Sequence, residues 1–305
     1  MTELRLHFLG TGSAKPTLHR GCAAVGLQYG ADTLLLDCGE GTQRQLLESP
    51  FRLSRLRAIG LTHFHGDHVN GLPGLIGTMG LQGHRDTLTL IGPAGLSKWL
   101  RTLRELDILK PAFGLKLVDH AEPVVLQDAD YELRTFAMEH RIPTRGYLFV
   151  ERDRPGRFDL EAAQALGVPA GPLYGRLQRG ESVTLPDGRV VHPDQVVGPM
   201  RRGRRVVYAS DTRPCASVIE AATGADVLIH EATYLHEHHD QAVDRWHSTV
   251  REAAQVALAA GVGQLVLTHI SPKHMRRKEL LAEAHEVFPN VVVAQDLLEL
   301  DVAMR

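Results

Sequence analysis

A layered α/β fold is predicted by three features of the sequence. Short apolar runs that read as strands alternate with stretches of helical period, most cleanly in the last third. Chemically distinctive polar residues stand just past the ends of those runs, where sites form in α/β sheets. The 305 residues, 43% hydrophobic and 23% charged, suit a soluble globular chain of one large domain or two ordinary ones. In order, Leu4 to Leu9, Ala23 to Leu27 and Thr33 to Leu36 read as strands, each closed by Gly or a turn. Glu40 to Glu48 reads as a helix, Leu56 to Leu61 as a short buried strand, Thr87 to Ile91 as a strand and Gly95 to Leu106 as a helix. Strands follow at Tyr131 to Met138 and Gly146 to Val150. The last third reads strand Arg205 to Ser210, helix Ala216 to Ala222, strand Asp226 to His230, helix Thr249 to Ala260, strand Gln264 to Thr268 and helix Lys278 to Val287. Val291 to Ala294 reads as the closing strand.

Residues 151–200 break this pattern. They are rich in Gly and Pro (GVPAGPLYGRLQRG, LPDG, VGP) and poor in apolar periodicity, yet they hold Val168, Leu173, Leu177, Val183 and Val190. Disordered linkers seldom carry so many core-type residues. The stretch is read as an inserted arm, hairpin-like, within a main domain spanning 1–305.

Several classes are set aside. No apolar run approaches membrane-spanning length. The start, MTELRLHFLG, lacks the basic and apolar regions of a signal peptide, so a cytoplasmic location is expected. Cys22, Cys38 and Cys215 are odd in number and far apart, which suggests neither a disulfide framework nor a CxxC zinc site. A net charge of -2 announces no nucleic-acid partner by itself. Histidine is the outlier, with 17 copies.

The stretch LTHFHGDH (61–68) places His63, His65, Asp67 and His68 just past a buried strand. Crowded there, the histidines would repel one another if charged and lose hydration if neutral. A shared metal ion removes both problems, and imidazole with carboxylate is a common transition-metal shell. Other candidate ligands also follow strands: His140 after YELRTFAM, Asp211 after VVYAS, His230 and Glu231 after DVLI, and His269 after QLVLT. Singly, each has a plain structural reading; Asp211, for instance, suits a helix cap. Beside the loop at 63–68 they complete a metal site.

These residues resemble the HxHxDH signature of the metallo-β-lactamase superfamily. The finer resemblance is to the ribonuclease Z family of tRNA 3′-processing endonucleases. It rests on FLGTGSAKPT (8–17), LLLDCGEGTQRQL (34–46), YASDTRP (208–214), HEATY (230–234), HST (247–249), THISPKH (268–274) and GPLYGRLQRG (171–180), and it covers essentially the whole chain. The resemblance implies a four-layer αββα sandwich with an inserted substrate-binding arm. It implies two Zn2+ per subunit, one held by His63, His65 and His140, the other by Asp67, His68 and His269, with Asp211 bridging. The donors accept Mn2+ or Fe2+ as well. It also implies a homodimer in which one subunit's arm presents precursor tRNA to the other's metals. Neither a membrane nor a DNA partner is expected.

Two dications would activate a water and stabilise charge growing on the phosphate. Asp67 is expected to orient that water or take its proton, though a metal-bound carboxylate is a weak base. His247, in DRWHSTV, is the candidate general acid for the leaving alkoxide, oriented and charged by Glu231. The plain alternative makes His247 an ordinary helix flank with Ser248 as the cap. Expected products are a tRNA 3′-hydroxyl and a trailer 5′-phosphate.

The arm carries the substrate expectation. Between Gly171 and Arg205 stand Arg176, Arg179, Arg189, Arg201, Arg202, Arg204 and Arg205 against Glu181, Asp187 and Asp194. This local excess would bind RNA phosphates largely without reading sequence. Gly171, Pro172, Gly175, Arg176 and Arg179 are the expected RNA contacts, arginine serving where many relatives favour lysine. The rivals are a hydrolase of a small phosphodiester, thioester or lactam on the same scaffold, and a non-catalytic RNA-binding or metal-storage protein.

Overall fold

Along Arg205–Ala209, Val206 and Tyr208 face one buried cluster while Val207 and Ala209 face another. Successive side chains of a strand point to opposite faces, so such a strand must be covered on both sides. The computed structural model, which describes residues 2–274 and 276–304, shows how. The strands are β1 (Leu4–Gly10), β2 (Ala24–Tyr29), β3 (Asp32–Leu36), β4 (Leu56–Gly60), β5 (Leu88–Gly92), β6 (Leu115–Asp119), β7 (Val124–Gln127), β8 (Tyr131–Met138), β9 (Thr144–Glu151), β10 (Val183–Thr184), β11 (Val190–Val191), β12 (Arg205–Ala209), β13 (Val227–Glu231), β14 (Gln264–Thr268), β15 (Val291–Val293) and β16 (Leu298–Asp301). The helices are α1 (Thr42–Glu48), α2 (Gly66–Val69), α3 (Leu72–Leu81), α4 (Leu96–Glu105), α5 (Leu160–Ala165), α6 (Pro172–Gln178), α7 (Ala216–Ala222), α8 (His239–Arg245), α9 (Val250–Ala260) and α10 (Arg277–His285).

One seven-stranded sheet runs β16-β1-β2-β3-β4-β5-β6, the other β15-β14-β13-β12-β9-β8-β7. Strands β3 to β6 are parallel, as are β12 to β15. Between the sheets, Leu6, Phe8, Leu34 and Leu36 meet Tyr147, Phe149, Tyr208, Ile229 and Val266. On the first sheet's outer face, Leu72, Leu75, Ile76 and Met79 of α3 and Leu96 and Leu100 of α4 cover Leu35, Ile59 and Leu90. On the second sheet's, α7, α9 and α10 cover Val207, Leu228 and Leu265 with Val218, Ala253, Ala257 and Leu280. Each large apolar side chain so buried contributes about 1.5–3 kcal/mol. The order is helix, sheet, sheet, helix: the αββα sandwich of the metallo-β-lactamase superfamily.

Residues 151–203 form a second compact unit with its own apolar cluster, including Val168, Leu177, Val183, Leu185 and Val191. Within it, β10 and β11 pair antiparallel, and the Asp159 side chain caps α5 by accepting from the Ala162 amide at 2.9 Å. The sequence expectation needs amending in three places. GPLYGRLQRG contains helix α6, where only a hairpin-like arm was expected. Val190, counted among the buried-type residues, is exposed. In the main unit, Val291 to Ala294 does not close the chain: β16 follows and pairs antiparallel with β1.

Candidate metal centre

The candidate ligands leave the carboxyl ends of four strands. His63 and His65 follow β4, and Asp67 and His68 lie on the single turn of α2. His140 follows β8, Asp211 follows β12, and His269 follows β14. The loop at 63–68 is held close by the turn after β3: Cys38 donates its N–H to the His68 carbonyl at 2.8 Å, and a Cβ on Gly39 would lie 2.2 Å from the Asp67 carbonyl. Glycine is required at that approach.

The side chains converge as two sets. His65 Nδ1 lies 3.0 Å from His63 Nε2 and 3.3 Å from His140 Nε2. Asp67 Oδ2 lies 3.5 Å from His68 Nε2 and 3.4 Å from His269 Nε2. Asp211 divides its oxygens between the sets. Its Oδ2 is 3.6 Å from His63 Nε2 and 3.8 Å from His140 Nε2, whereas Oδ1 is 3.3 Å from His68 Nε2 and 3.2 Å from His269 Nε2.

Outer hydrogen bonds fix which nitrogen of each ring faces inward. The His63 Nδ1–H donates to Thr62 Oγ1 at 2.9 Å, because the Thr62 hydroxyl proton is committed to Asp37 at 3.0 Å. His140 Nδ1–H donates to the Trp246 carbonyl at 2.8 Å, and His68 Nδ1–H to Asp37 Oδ2 at 2.8 Å. Thr233 donates its hydroxyl to Glu231 at 2.6 Å and accepts from His269 Nδ1–H at 3.0 Å. Each arrangement leaves an Nε2 lone pair turned toward the site, as second-sphere partners of metal-bound histidines do.

These residues fit divalent cations. The first set is neutral: burial lowers the pKa of His63, His65 and His140, and for His63 the charge of His68 lowers it further. Ring nitrogens gathered at 3.0 and 3.3 Å, with the His63 and His140 lone pairs turned inward, suit a shared Lewis acid. In the second set burial favours the neutral acid form of Asp67, but the facing rings of His269 and His68, 3.4 and 3.5 Å away, outweigh it and hold the carboxyl well below the usual range. Burial opposes a charged His68, yet Asp211 and Asp37 raise its pKa well above normal. Its Nε2 is buried without a hydrogen-bond partner. The pocket therefore demands positive charge at that point, which a dication supplies better than a proton. Three groupings of donors have all their atoms within 4.8 Å: His63, His65, His140 and Asp211; Asp67, His68 and His269; and Asp211, His247 and His269.

Beside the metal set, His247 Nδ1 lies 2.8 Å from Glu231 Oε1 and 4.0 Å from Asp211 Oδ2. Glu231 also accepts from the amides of Thr212 and Thr233 at 2.9 and 3.1 Å. Burial disfavours the imidazolium, but the Glu231 carboxylate overrides this and pushes the His247 pKa up to about 9. Ser248 is not the helix cap: its hydroxyl donates to the Thr212 carbonyl, and Thr249 caps α9 in a reciprocal box with Glu252. Asp211 caps nothing either, since Cys215 precedes α7. His230, one step from Glu231, points to the opposite face of β13 and stays out of the site, its Nδ1 2.7 Å from the Glu231 carbonyl.

Comparison with known proteins places this geometry. Residues 4–149 match the family described as anti-Pycsar protein Apyc1, and residues 180–270 match the beta-lactamase superfamily domain. Ribonuclease Z of Rippkaea orientalis is 42% identical over 306 residues, covering 98% of each chain. Ribonuclease Z of Gemmatimonas aurantiaca is 44% identical over 304 residues, covering 99% of this chain and 96% of its own.

The chain belongs to the ribonuclease Z family.

As a member of that family it is an endoribonuclease hydrolase. Human tRNase Z, short form, superposes with a TM-score of 0.69 at 26% identity, over 98% of this chain and 100% of that one. The metallo-beta-lactamase fold protein YhfI of Bacillus subtilis, 19% identical over 99% of this chain and 100% of its own, shares the fold with a TM-score of 0.71.

Two parts of this ribonuclease Z family site were not anticipated from the sequence. Asp37, fully buried at φ 59°, holds His68, Thr62 and Tyr208 at once. A non-glycine residue in the left-handed region costs about 1–3 kcal/mol and persists where function over-determines it. LLLDCGEGTQRQL contains Asp37, but its partners are distant in sequence. The second part is a cavity of about 570 Å3 that opens over His65, His140, Asp211 and His247, with Lys15, Arg141, Arg245 and Lys273 also lining it. Just beyond FLGTGS, Ala14 donates its N–H to Asp67 Oδ2 at 2.8 Å.

Proposed function

We propose that the protein cleaves precursor tRNA at its 3′ end, leaving a 3′-hydroxyl on the tRNA and a 5′-phosphate on the trailer. The observation that carries this reading is the division of Asp211 between two ligand sets, with a charged His247 at its side, in a chain aligned end to end with ribonuclease Z relatives. His63, His65 and His140 would hold one Zn2+, Asp67, His68 and His269 the other, and Asp211 both. When bound, the pair supplies Lewis-acid stabilisation of the phosphate and makes water acidic enough to attack.

The chain's own groups do the rest. Asp67, at the cavity, orients the attacking water; its low proton affinity makes it a poor base. His247 carries its proton at working pH and delivers it to the departing sugar oxygen. Glu231 stays ionised beside it and restrains the ring. Lys15, Arg141, Arg245 and Lys273 give the cavity positive charge suited to an RNA backbone.

The arm grips RNA through the segment holding Gly171, Pro172, Gly175, Arg176 and Arg179. Its positive excess supports this, although Glu181 pairs with Arg176 at 3.0 Å and Arg179 at 3.2 Å, and Asp187 pairs with Arg189 at 2.8 Å. These exposed pairs are weak enough to exchange for phosphate. The family resemblance supports a cytoplasmic homodimer in which one subunit's arm serves the partner's centre. No helix among the described residues is long and apolar enough to cross a membrane.

His65→Ala tests the reading. Cleavage of precursor tRNA is expected to be abolished while tRNA binding stays within about twofold, since the ring contributes lone pairs and not phosphate contacts. Unchanged turnover in that variant contradicts the metal mechanism.

A further inference from the structure

The stretch YASDTRP (208–214) supplies Asp211, yet Arg213, two residues on, has no part in the chemistry described so far. Its side chain is 17% exposed and reaches two places at once. Arg213 Nη1 donates to the His247 carbonyl at 2.5 Å and to Glu252 Oε2 at 2.9 Å, while Nη2 pairs with Glu252 Oε1. Glu252 is itself fixed at the start of α9, where Oε2 accepts from the Thr249 amide at 2.9 Å. A planar guanidinium suits this task, because it forks onto a carboxylate and keeps a donor direction for a carbonyl. The backbone beneath it is anchored too. The Arg213 N–H donates to the Glu139 carbonyl at 2.8 Å, and the Glu139 N–H to Thr212 Oγ1 at 3.1 Å, which ties this segment to the residue before His140.

What Arg213 grips is a strained turn. Helix α8 ends at Trp246, whose φ of 61° lies in the left-handed region. A bulky side chain stays there only where the surroundings impose it. The turn sends three groups in three directions. The Trp246 carbonyl accepts from His140 Nδ1–H at 2.8 Å, the His247 carbonyl accepts from Arg213, and the His247 ring meets Glu231 at 2.8 Å. Backbone shifts at residue 247 therefore reach the imidazole directly. Among the described residues that line the cavity Arg213 is absent, so it acts on the site through what it holds.

We propose that Arg213 is a positioning residue for the cleavage: by clamping the His247 carbonyl to Glu252 of α9, it keeps the His247 imidazole aimed at the departing sugar oxygen. The proposal rests on His247 as the general acid. The clamp is separate from the Glu231 contact, which acts on the ring, whereas Arg213 acts on the main chain that carries it. Precise placement of an acid matters only for a leaving group that needs its proton. The loss on removing the clamp is therefore selective for the RNA alkoxide, and it vanishes once the imidazole itself is gone.

The test measures kcat and KM of the zinc-loaded full chain on precursor tRNA and on a nitrophenyl phosphodiester, for Arg213→Lys, for His247→Ala and for the two combined. Lysine keeps a charge beside Glu252, but an ammonium cannot fork onto the carboxylate and also hold the carbonyl. For Arg213→Lys, kcat on precursor tRNA is expected to fall about 10- to 100-fold with KM unchanged, and far less on the nitrophenyl ester. Arg213→Gln combined with Glu252→Gln removes both charges, so neither is left buried alone, and glutamine still completes the cap of α9; the same selective loss is expected. The combination of Arg213→Lys with His247→Ala is expected to be no slower on precursor tRNA than His247→Ala alone, since a residue that acts through another adds nothing in its absence. Wild-type kcat in either clamp variant overturns the proposal, as does a combined loss equal to the product of the single losses. Equal losses on both substrates in His247→Ala overturn the acid assignment itself, and the role of Arg213 with it.

Discussion

His247 Nδ1 lies 2.8 Å from Oε1 of Glu231, a carboxylate with no exposed surface. A buried carboxylate at that distance makes the ring hold its proton more tightly, which raises the His247 pKa to about 9. The protonated form is the acid, so activity that depends on it is present below that pH and falls as pH rises through it. Glu231→Gln removes the charge, and the fall is expected to move to lower pH. The kcat–pH profile on precursor tRNA measures this; an unmoved descending limb contradicts the assignment.

His247→Ala separates leaving groups. An RNA alkoxide needs a proton, whereas a nitrophenolate leaves without one. Loss of kcat is expected to be about 10²- to 10⁴-fold on precursor tRNA and far smaller on a nitrophenyl phosphodiester. Equal losses on both substrates would place His247 outside proton transfer.

Asp37→Asn probes the support beneath the ligands. Asparagine tolerates the φ of 59°, so the change removes charge and alters the bonds to His68 and Thr62 without forcing the backbone. Metal affinity is expected to fall about 10- to 100-fold, with the circular dichroism spectrum unchanged. Wild-type metal content under competition with a chelator would refute this role.

Gly39→Ala tests the close approach of the two loops. The added Cβ would meet the Asp67 carbonyl at 2.2 Å, so backbone must move. A stability loss of about 1–3 kcal/mol is expected, accompanied by weaker metal binding, since Asp67 and His68 move with their loop. Denaturant unfolding with and without added zinc reads both effects.

The alternation of strands and helices was legible because long buried elements impose a period, as in Val250–Ala260 and Tyr131–Met138. The short pieces were not. Helices α5 and α6 have 6 and 7 residues, under two turns, and β16 is a four-residue LELD held to β1 partly by Arg5 through Glu299 and Asp301. The site showed itself in the crowding of His63, His65, Asp67 and His68, and in polar residues placed after strands. Strand-end position alone did not separate Glu231, which faces the centre, from His230, which faces away. Asp37, Lys15, Arg245 and Lys273 stayed hidden because their roles depend on neighbours assembled by tertiary folding.

For the arm, Arg176→Gln and Arg179→Gln together are expected to lower tRNA affinity and to flatten its dependence on salt by about one in slope per arginine. Deleting Gly171 to Gly198 is expected to abolish precursor cleavage and spare a small aryl phosphodiester. Parallel loss of both activities would show that the arm is not an RNA grip.

The central claim is that the paired ligand sets around Asp211 hydrolyse one phosphodiester at the 3′ boundary of tRNA. Its most direct measurement is incubation of the zinc-loaded protein with a 3′-extended tRNA, with both fragment ends mapped. The account predicts one cut at the end of the tRNA body, a 3′-hydroxyl on the tRNA and a 5′-phosphate on the trailer. Intact precursor, scattered cuts, or a 3′-phosphate on the tRNA would contradict it.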